Sequence, residues 1–240
     1  MHRRQPHAFL FFVEEMTPGD VSATITGSEH HHLNRVLRKA VGDEVFITDG
    51  RGTIFRCQVQ ERTQRGTRVE VIGSDPVHPP RNSVTLALGC IRKDRFERAV
   101  EQCTELGVAR FVPFYSRNTR MQTTGSAFMK RLRRIAQSAM TQSFRGTLPV
   151  IEQGIPFGNL IRFIKESDCA IVGDWGAQPL KAPKAGASVL LIVGPESGFA
   201  PEERDQLRQQ GCIFASSSSH RLRSETAAVA LASVVLSAPD

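Results

Sequence analysis

Residues 189–199, with the sequence VLLIVGPESGF, decide the fold that we predict for this chain. The five apolar residues Val189–Val193 are typical of a buried strand, and a loop with two glycines, Gly194–Phe199, follows directly. Pro201-Glu202-Glu203 then begins a helix of about ten residues, because proline suits the first turn and acidic side chains complement the helix dipole. The loop has neither the spacing of a dinucleotide-binding loop nor the lysine of a P-loop, so neither ligand class is favoured. Without further support, the stretch can also be interpreted as an ordinary strand-to-helix turn.

Strands and helices alternate in the same way over residues 76–240. Further apolar strands are predicted at Val84–Leu88, Arg110–Phe114, Leu148–Ile151, Cys169–Val172 and Cys212–Ala215. Helices are predicted from an Asp94 cap to Gly107, around Phe128–Ala139, and over Ser224–Leu236, which is apolar nearly all round and is expected to be buried. This alternation indicates an α/β fold with a mostly parallel sheet and helices on both faces. Ligands of such folds bind in the loops at the carboxyl ends of the strands.

The first 75 residues are different and read as β-rich. Strands are predicted at Phe9–Val13, Glu44–Thr48, Thr53–Val59 and Arg68–Ile72. One helical patch, Glu29–Lys39, interrupts them, with Ser28 as its expected N-cap. Because Asp75–Pro80 holds three prolines, which are expected to continue neither strand nor helix, we predict a linker there. The predicted domains are therefore residues 1–75 and 76–240.

The charge of the chain points to a polyanionic partner. The net charge is +7, and by position it falls entirely on residues 76–240. No acidic residue occurs between Leu106 and Ile151. The cations of that stretch are Arg110, Arg117, Arg120, Lys130, Arg131, Arg133, Arg134 and Arg145. A field of one sign attracts nucleic acid, although a solvated basic helix face is the simpler alternative.

The cysteines and the N-terminus indicate the compartment. The five cysteines are widely spaced and form no C-x-x-C pair, so neither a disulfide framework nor a structural zinc site is expected. The apolar run Ala8–Val13 is too short for a secretory core or a membrane span. We expect a cytoplasmic protein without a membrane partner.

Two further segments carry polar residues at helix ends. Ser216–Ser219 follows the last predicted strand, and Arg223 and Glu225 lie at the start of the apolar helix behind it, where they need solvent, a partner or a ligand. Gln142 and Arg145 lie about one turn apart where the basic helix ends, and both can contact phosphate or base edges. Each can equally be an exposed polar group at a helix end.

Together these segments resemble the bacterial 16S ribosomal RNA (uracil-N3) methyltransferase family of the SPOUT superfamily. The resemblance covers nearly the whole chain, and its short motifs occur in the family's order. The matching residues are His31-His32-Leu33, Arg35–Arg38, Gly42-Asp43, Asp49–Gly52, Lys93, Glu97, Thr104–Val108, Pro113, Ser116-Arg117, Ala139, Gln142-Ser143, Arg145, Gly194–Phe199 and Leu222–Ala227.

The resemblance implies a fold and partners. It implies an N-terminal PUA-like barrel that binds RNA, a C-terminal domain with a trefoil knot within residues of about 170–240, and a homodimer acting on ribosomal RNA of the small subunit. It also implies S-adenosylmethionine as the cofactor. The residues that would hold this cofactor are Val193, Gly194, Pro195, Glu196, Gly198, Phe199, Ser217, Ser218, Leu222 and Thr226.

The resemblance also implies roles in the reaction. Arg145 and Arg223 would stabilise a uracil anion, and Glu196 would orient the base or accept its proton. RNA would be bound by His31, Arg35, Arg38, Arg117, Arg120, Gln142 and Arg145. No metal is expected, although His30–His32 is a run of three histidines.

The chain departs from the family pattern at four places. Ser197 replaces a glycine, Gln102 a lysine, Ser217-Ser218 a Leu-Gly pair, and His220-Arg221 an Arg-Ile pair. Glycine takes positive φ without strain and serine does not, so the alternative is an RNA-binding protein that has lost its cofactor site. A third possibility is a methyltransferase of the same superfamily that acts on another RNA.

Overall fold

The structure is a computed structural model that describes residues 9–78, 80–119 and 125–237. These residues form two compact units, and each is described by itself. One unit comprises residues up to His78 together with Met140–Leu148, and the other comprises the remaining described residues.

The first unit is built on a five-stranded sheet. Its strands are β1 (Leu10–Phe12), β2 (Ser22–Ile25), β3 (Glu44–Thr48), β4 (Thr53–Arg62) and β5 (Thr67–Pro76). They lie in the order β1-β3-β4-β5-β2, with β1 parallel to β3 and the other pairs antiparallel. The alternate side chains that face inward form one buried cluster, which includes Phe11, Ile25, Ile47 and Phe55. This unit confirms the β-rich N-terminal part that the sequence predicts.

Three local predictions for this unit are wrong. Strand β2 was not predicted, because it is only four residues long and, although Ala23 and Ile25 alternate with polar residues, only Ile25 is buried. The helix begins earlier than expected, as α1 (Gly27–His31) with Thr26 at its N-cap, and continues as a π-helix over His32–Val36, so Ser28 is not the cap. Strand β5 continues through Asp75 and Pro76, because Pro76 comes at the end of the strand opposite Thr53, where its missing N–H does not interrupt the ladder.

The segment Met140–Leu148, which the sequence places in the second domain, packs with the first unit. The hydroxyl of Thr48 and the amide of Gly52 both donate to the carbonyl of Gly146, each at 3.0 Å. The amide of Leu148 donates to the carbonyl of Gly50 at 2.8 Å. These bonds join residues about a hundred positions apart, which local sequence patterns do not reveal.

The second unit alternates strands and helices. Its elements are β6 (Ser83–Gly89), α2 (Lys93–Leu106), β7 (Arg110–Tyr115), α3 (Ser126–Gln142, whose last residues belong to the first unit), β8 (Val150–Ile151), β9 (Ile155–Pro156), α4 (Leu160–Lys165), β10 (Cys169–Gly173), β11 (Ser188–Val193), α5 (Pro201–Gln209), β12 (Ile213–Ala215) and α6 (Ser224–Ser237). The strands form one parallel sheet in the order β12-β10-β11-β6-β7-β8, and β9 also pairs with β7. Helices α4 and α5 pack on one face, and α6, which contacts α2, packs on β6 and β11. The predicted mostly parallel sheet with helices is confirmed.

Two helix predictions in this unit need correction. Arg92, with extended backbone, is the N-cap of α2, and Asp94 lies inside the first turn, where its carboxylate pairs with Arg92 at 3.2 Å. Helix α6 is buried on one face only, through residues such as Leu231 and Val235, while Val234 on another face is half-buried. The physical reason is that α6 contacts α2 and the sheet on one side. Gly107 ends α2 at φ +113°, as predicted.

No helix within the described ranges is both long and apolar enough to cross a membrane.

Candidate active site

Three loops at the carboxyl ends of neighbouring strands enclose a cavity of about 510 Å³. The loops follow β10, β11 and β12, which lie side by side in the sheet. We call this space the first cavity. Its lining includes Val193, Gly194, Pro195, Glu196, Gly198, Phe199, Ser217, Ser218, Leu222 and Arg223 from the predicted site, and Arg95, Asp174, Trp175, Arg204, Ser216 and Arg221 from elsewhere in the chain. The structure therefore brings together nine of the ten residues predicted to hold a cofactor, with Arg223.

Glycines allow the loop after β11 to pack closely against neighbouring residues. A Cβ on Gly89, at the end of β6, would lie 2.6 Å from the nitrogen of Pro195. A Cβ on Gly194 would lie 3.0 Å from the ring of Phe199. Gly198 has φ +74°, a conformation in which any side chain is strained. Gly89 and Gly194 therefore allow close packing of the loop, and Gly198 allows its turn, while glycines also let backbone approach a ligand closely.

The loop after β12 is held by its own serines. The Ser216 hydroxyl donates to the carbonyl of Ser218 at 2.6 Å, and the His220 amide donates to the Ser218 hydroxyl at 3.0 Å. Among the described non-glycine residues, only Arg38 and Phe144 have positive φ. Ser217 and Ser218 therefore occupy ordinary backbone conformations, and serine in place of glycine causes no backbone strain here.

Glu196 is fixed by a residue that the sequence did not single out. The Arg95 guanidinium, on α2, binds the Glu196 carboxylate, and its Nε lies 3.8 Å from Oε1 of Glu225. The Glu225 side chain is 5% exposed, and its Oε2 has no hydrogen-bond partner among the described residues. Arg95 was missed because its neighbours in sequence only mark it as the polar face of an amphipathic helix. Its two carboxylate partners are about a hundred positions away.

The wall of the first cavity carries a second fixed ion pair. The Arg204 guanidinium binds both oxygens of Asp174, at 3.1 and 2.7 Å. Trp175, which is 62% exposed, donates from its indole N–H to the carbonyl of Ser219 at 3.3 Å. The ion pair joins the loop after β10 to α5, and the Trp175 hydrogen bond joins the loops after β10 and β12.

The buried carboxylate of Glu203 stabilises the loops after β7 and β11 through hydrogen bonds. Glu203, 7% exposed, accepts hydrogen bonds from the Ser116 hydroxyl and the amides of Arg117 and Ala200, at 2.8 to 2.9 Å. The Ser197 hydroxyl in turn donates to the carbonyl of Asn118 at 2.8 Å. The loops after β7 and β11 are therefore joined.

Two residues predicted to bind the cofactor or act in the reaction, Thr226 and Arg145, are not among the lining residues of the first cavity. Thr226 is exposed near the start of α6 and is not among the lining residues. Arg145 belongs to the first compact unit, where it follows Phe144, a residue at φ +56°. Arg145 is half-buried, and burial lowers the pKa of its guanidinium to about 10.

The predicted RNA contacts lie mostly on the surface. His31, Arg35 and Arg38 are exposed on or just after the helical segment of the first unit. Gln142 is exposed at the end of α3. Arg117 is exposed, and its guanidinium lies 3.5 Å from Glu202. Arg120 lies outside the described residues.

The first residue of the histidine run, His30, is within hydrogen-bond distance of two polar side chains of the first unit. His30 Nδ1 lies 2.9 Å from the Thr67 hydroxyl and 2.8 Å from the Asn34 amide nitrogen, while His31 is exposed. Within the part of the chain that the structure describes, no three His, Cys, Asp or Glu side chains are grouped as metal ligands would be.

Comparisons with known proteins give one consistent family. The family model described as "RNA methyltransferase domain" matches residues 78–236, and the one described as "RNA methyltransferase PUA domain" matches residues 25–71. The chain is 30% identical over 239 residues to the Mycobacterium bovis protein named ribosomal RNA small subunit methyltransferase E, with 95% of this chain and 91% of that protein covered.

Solved structures have the same fold. A probable rRNA-methyltransferase from Porphyromonas gingivalis is 28% identical, with a TM-score of 0.79 and coverage of 93% of this chain and 95% of the other. The ribosomal RNA small subunit methyltransferase E from Neisseria gonorrhoeae, solved with bound S-adenosyl methionine, is 21% identical, with a TM-score of 0.81 over 95% and 96% of the two chains. The family resemblance of the sequence is confirmed: this chain belongs to the RNA methyltransferase family that includes the proteins named ribosomal RNA small subunit methyltransferase E.

Proposed function

We propose that this protein transfers a methyl group from S-adenosylmethionine to N3 of a uridine in 16S ribosomal RNA. The observation that carries the proposal is the first cavity, where the loops after β10, β11 and β12 meet at one edge of the sheet in a member of this family. The relatives named for methylation of small-subunit ribosomal RNA supply the class of substrate.

The residues of the first cavity fit this cofactor. Its volume of about 510 Å³ is within the range of roughly 300–1,000 Å³ for small-molecule sites. Val193, Gly194 and Gly198 would present backbone groups, since side chains at the two glycines would fill the cradle or strain the chain. Phe199, Ser217, Ser218 and Leu222 would complete the wall, with Thr226 behind them.

The chemistry divides between the cofactor and the protein. When bound, S-adenosylmethionine supplies an electrophilic methyl group: the bond from N3 to the methyl carbon forms as the carbon–sulfur bond breaks, and its electron pair stays on sulfur. Glu196, held by Arg95, orients the uracil and accepts the N3 proton. Arg223 at the first cavity and Arg145 stabilise the negative charge on the uracil oxygens.

The target uridine reaches this site out of a structured RNA, so we propose that it flips out of its stack. The N-terminal PUA-like domain would grip RNA through His31, Arg35 and Arg38. Arg117, Arg120, Gln142 and Arg145 would add contacts to phosphate or base edges. The domain boundary near residue 75 belongs to this proposal, with Met140–Leu148 added to the RNA-gripping part.

We also propose a homodimer in the cytoplasm. Helix α6 leaves apolar residues such as Val229 and Val234 half-buried, which suits coverage by a second copy. The trefoil knot of the superfamily stays a prediction from the resemblance.

The alternative of an RNA-binding protein without cofactor depended on strain at Ser217 and Ser218. Because both serines have ordinary backbone angles, that reason no longer favours it. Methylation of a different RNA stays a second possibility, and mapping of the modified nucleotide decides it.

Calorimetric titration of the full-length protein with S-adenosylmethionine tests the cofactor proposal. We expect saturable binding at one site per chain, and no binding to Ser217→Phe, whose ring would fill the first cavity. Ser143→Phe, outside the first cavity, is the matched control and should bind as the wild type does. Absence of binding to the wild type, with and without small-subunit RNA, would overturn the proposal.

A further inference from the structure

A second cavity of about 300 Å³ lies beside the first and belongs to no function assigned so far. Its lining residues are Cys90, Ile91, Arg92, Asn118, Pro195, Glu196 and Ser197. Among the described residues, only Pro195 and Glu196 line both cavities. The two cavities therefore adjoin at the loop after β11.

The second cavity lies where an open α/β sheet is expected to bind a ligand. Its walls are the loops that follow β11, β6 and β7, three neighbouring parallel strands. From β6 the chain continues through α2 to β7 on one side, and from β11 it continues through α5 to β12 on the other side. Adjacent strands with connections in opposite directions define a topological switch point, and the crevice outside their carboxyl ends is the usual binding site.

The wall groups suit a flat pyrimidine with polar edges. Ile91 and Cys90, 2% and 3% exposed, and Pro195 give apolar surface for the faces of a ring. One N–H of the half-buried Asn118 amide donates to the carbonyl of Gly198 at 3.5 Å, and the second N–H can donate to a base edge. The backbone of Asn118 is fixed by the hydrogen bond from Ser197. Arg92, exposed at the mouth, pairs through its Nε with Asp94 at 3.2 Å, and its Nη groups can contact a phosphate.

We propose that the second cavity receives the flipped-out target uracil, with Asn118 as a specificity-determining residue that donates to a uracil oxygen. The proposal rests on the proposed function, because it places the methyl acceptor across the loop after β11 from the first cavity. Methyl transfer then requires N3 of the uracil and the methyl group of the cofactor to meet beside Pro195 and Glu196, which line both cavities.

Glu196 lies where it can contact a uracil bound in the second cavity. It lines both compartments, and Arg95 holds it from the side of the first cavity. A uracil in the second cavity can donate its N3–H to this carboxylate, whereas N3 of a cytosine is an acceptor and would face it unfavourably. Arg92 is also the N-cap of the 14-residue α2, and the positive end of that helix favours negative charge on the uracil.

A pair of substitutions at Ser197 tests the proposal. Ser197 lines the second cavity and not the first, so Ser197→Phe fills one compartment only. We expect Ser197→Phe to bind S-adenosylmethionine as the wild type does, and to methylate RNA at least about 100-fold more slowly, since a displaced substrate loses that much. Ser197→Ala loses the same hydrogen bond to Asn118 without filling the cavity, and its rate should fall by no more than about five-fold.

Binding of free nucleotides gives a second readout. Saturation-transfer NMR on the full-length protein, with S-adenosylhomocysteine present, should show uridine 5′-monophosphate bound more strongly than the cytidine nucleotide. The uridine signal should be lost in Ser197→Phe and reduced in Asn118→Ala, while thermal melting shows that both variants fold.

Wild-type methylation rates in Ser197→Phe, or an unchanged uridine signal in that variant, would overturn the proposal. A wild type that methylates no RNA would overturn the proposed function instead. In that case the nucleotide signals alone test whether the second cavity binds uridine.

Discussion

At the scale of single residues, Ser217 and Ser218 bear most directly on cofactor binding. They stand where the family pattern named in the sequence analysis has Leu-Gly, yet neither has a positive φ. The Ser218 hydroxyl also accepts from the His220 amide at 3.0 Å, so it holds the loop after β12 in shape. Ser218 therefore stabilises the conformation of this loop.

Replacing Ser218 by the glycine of the family pattern should raise neither the stability of the protein nor its affinity for S-adenosylmethionine. In Ser218→Gly the bond to His220 is lost and the loop gains freedom, which costs roughly 0.5–1 kcal/mol of stability. We expect unchanged or weaker affinity for S-adenosylmethionine by calorimetry. Ser217→Ala, at a residue for which strain is also absent, is the control, and a tenfold gain in affinity for Ser218→Gly would contradict the account.

Arg145 should matter for catalysis and not for the fold. We expect Arg145→Ala to lower the methylation rate by roughly 100-fold or more, because a positioned cation that stabilises developing charge contributes that much. Arg145→Lys keeps a charge and should retain part of the rate. Circular dichroism checks that all proteins fold, and wild-type rates in Arg145→Ala would show that the role is wrong.

The pKa of Arg145 determines the pH at which its side chain loses its charge. Burial lowers this pKa from its usual range to about 10, so the guanidinium stays protonated at neutral pH. Because the folded pKa is below the unfolded value, the folded state releases the proton first, and the linked stability rises only above about pH 10. Methylation should therefore show no pH dependence from Arg145 between pH 6 and pH 9, as a rate profile would reveal.

At the scale of elements, the end of β6 and the loop after β11 fit together through Gly89. In Gly89→Ala the new Cβ meets the nitrogen and Cδ of Pro195 at 2.6 and 2.7 Å, so the loop has to shift. We expect a loss of about 1–3 kcal/mol in the free energy of unfolding, together with weaker binding of S-adenosylmethionine.

A matched glycine provides the control for Gly89→Ala. Gly158 is exposed, and a Cβ there meets no atom within 4 Å. Denaturant unfolding of Gly158→Ala should differ from the wild type by less than about 0.5 kcal/mol. Equal stability of Gly89→Ala and the wild type would contradict the tight packing of the loop.

Elements with strong apolar runs could be predicted from the sequence, and weaker ones could not. Strands β10 and β11 have buried apolar runs and were found to within one residue. Strand β2 has one buried residue, and the cap of α2 is Arg92, a residue type without capping preference. Local patterns cannot identify an element that only its long-range partners stabilise.

The residues of the candidate site divide in the same way, into those that local motifs reveal and those that only the fold brings together. Residues that lie together in motifs, such as Gly194–Phe199, could be assigned to the cavity from the sequence. Arg95 could not, because its role depends on Glu196 and Glu225, which only the fold brings to it. Asn118 and the second cavity also depend on the order of the strands, which the alternation of strands and helices does not specify.

At the scale of the whole molecule, the net charge of +7 should make RNA binding sensitive to salt. Lys130, Arg133 and Arg134 are exposed on α3. In Arg133→Ala/Arg134→Ala, the slope of log affinity for small-subunit RNA against log salt should become shallower by about 1–2, since each phosphate contact contributes roughly one.

A neighbouring arginine with a carboxylate partner is the control for the salt experiment. The Arg131 guanidinium is bound by Glu97, with Nη2 2.8 Å from Oε2, so Arg131→Ala should change the slope less. An equal effect of all the arginines, or none, would argue against a defined RNA surface on α3.

Analysis of the nucleosides after the reaction shows whether this protein methylates N3 of a uridine. Small-subunit RNA and whole small subunits are incubated with the full-length protein and labelled S-adenosylmethionine, digested and separated. We expect label in 3-methyluridine at one position, and none when Glu196→Gln replaces the wild type. Label in another nucleoside, or no label with either substrate, would show that the proposed reaction is wrong.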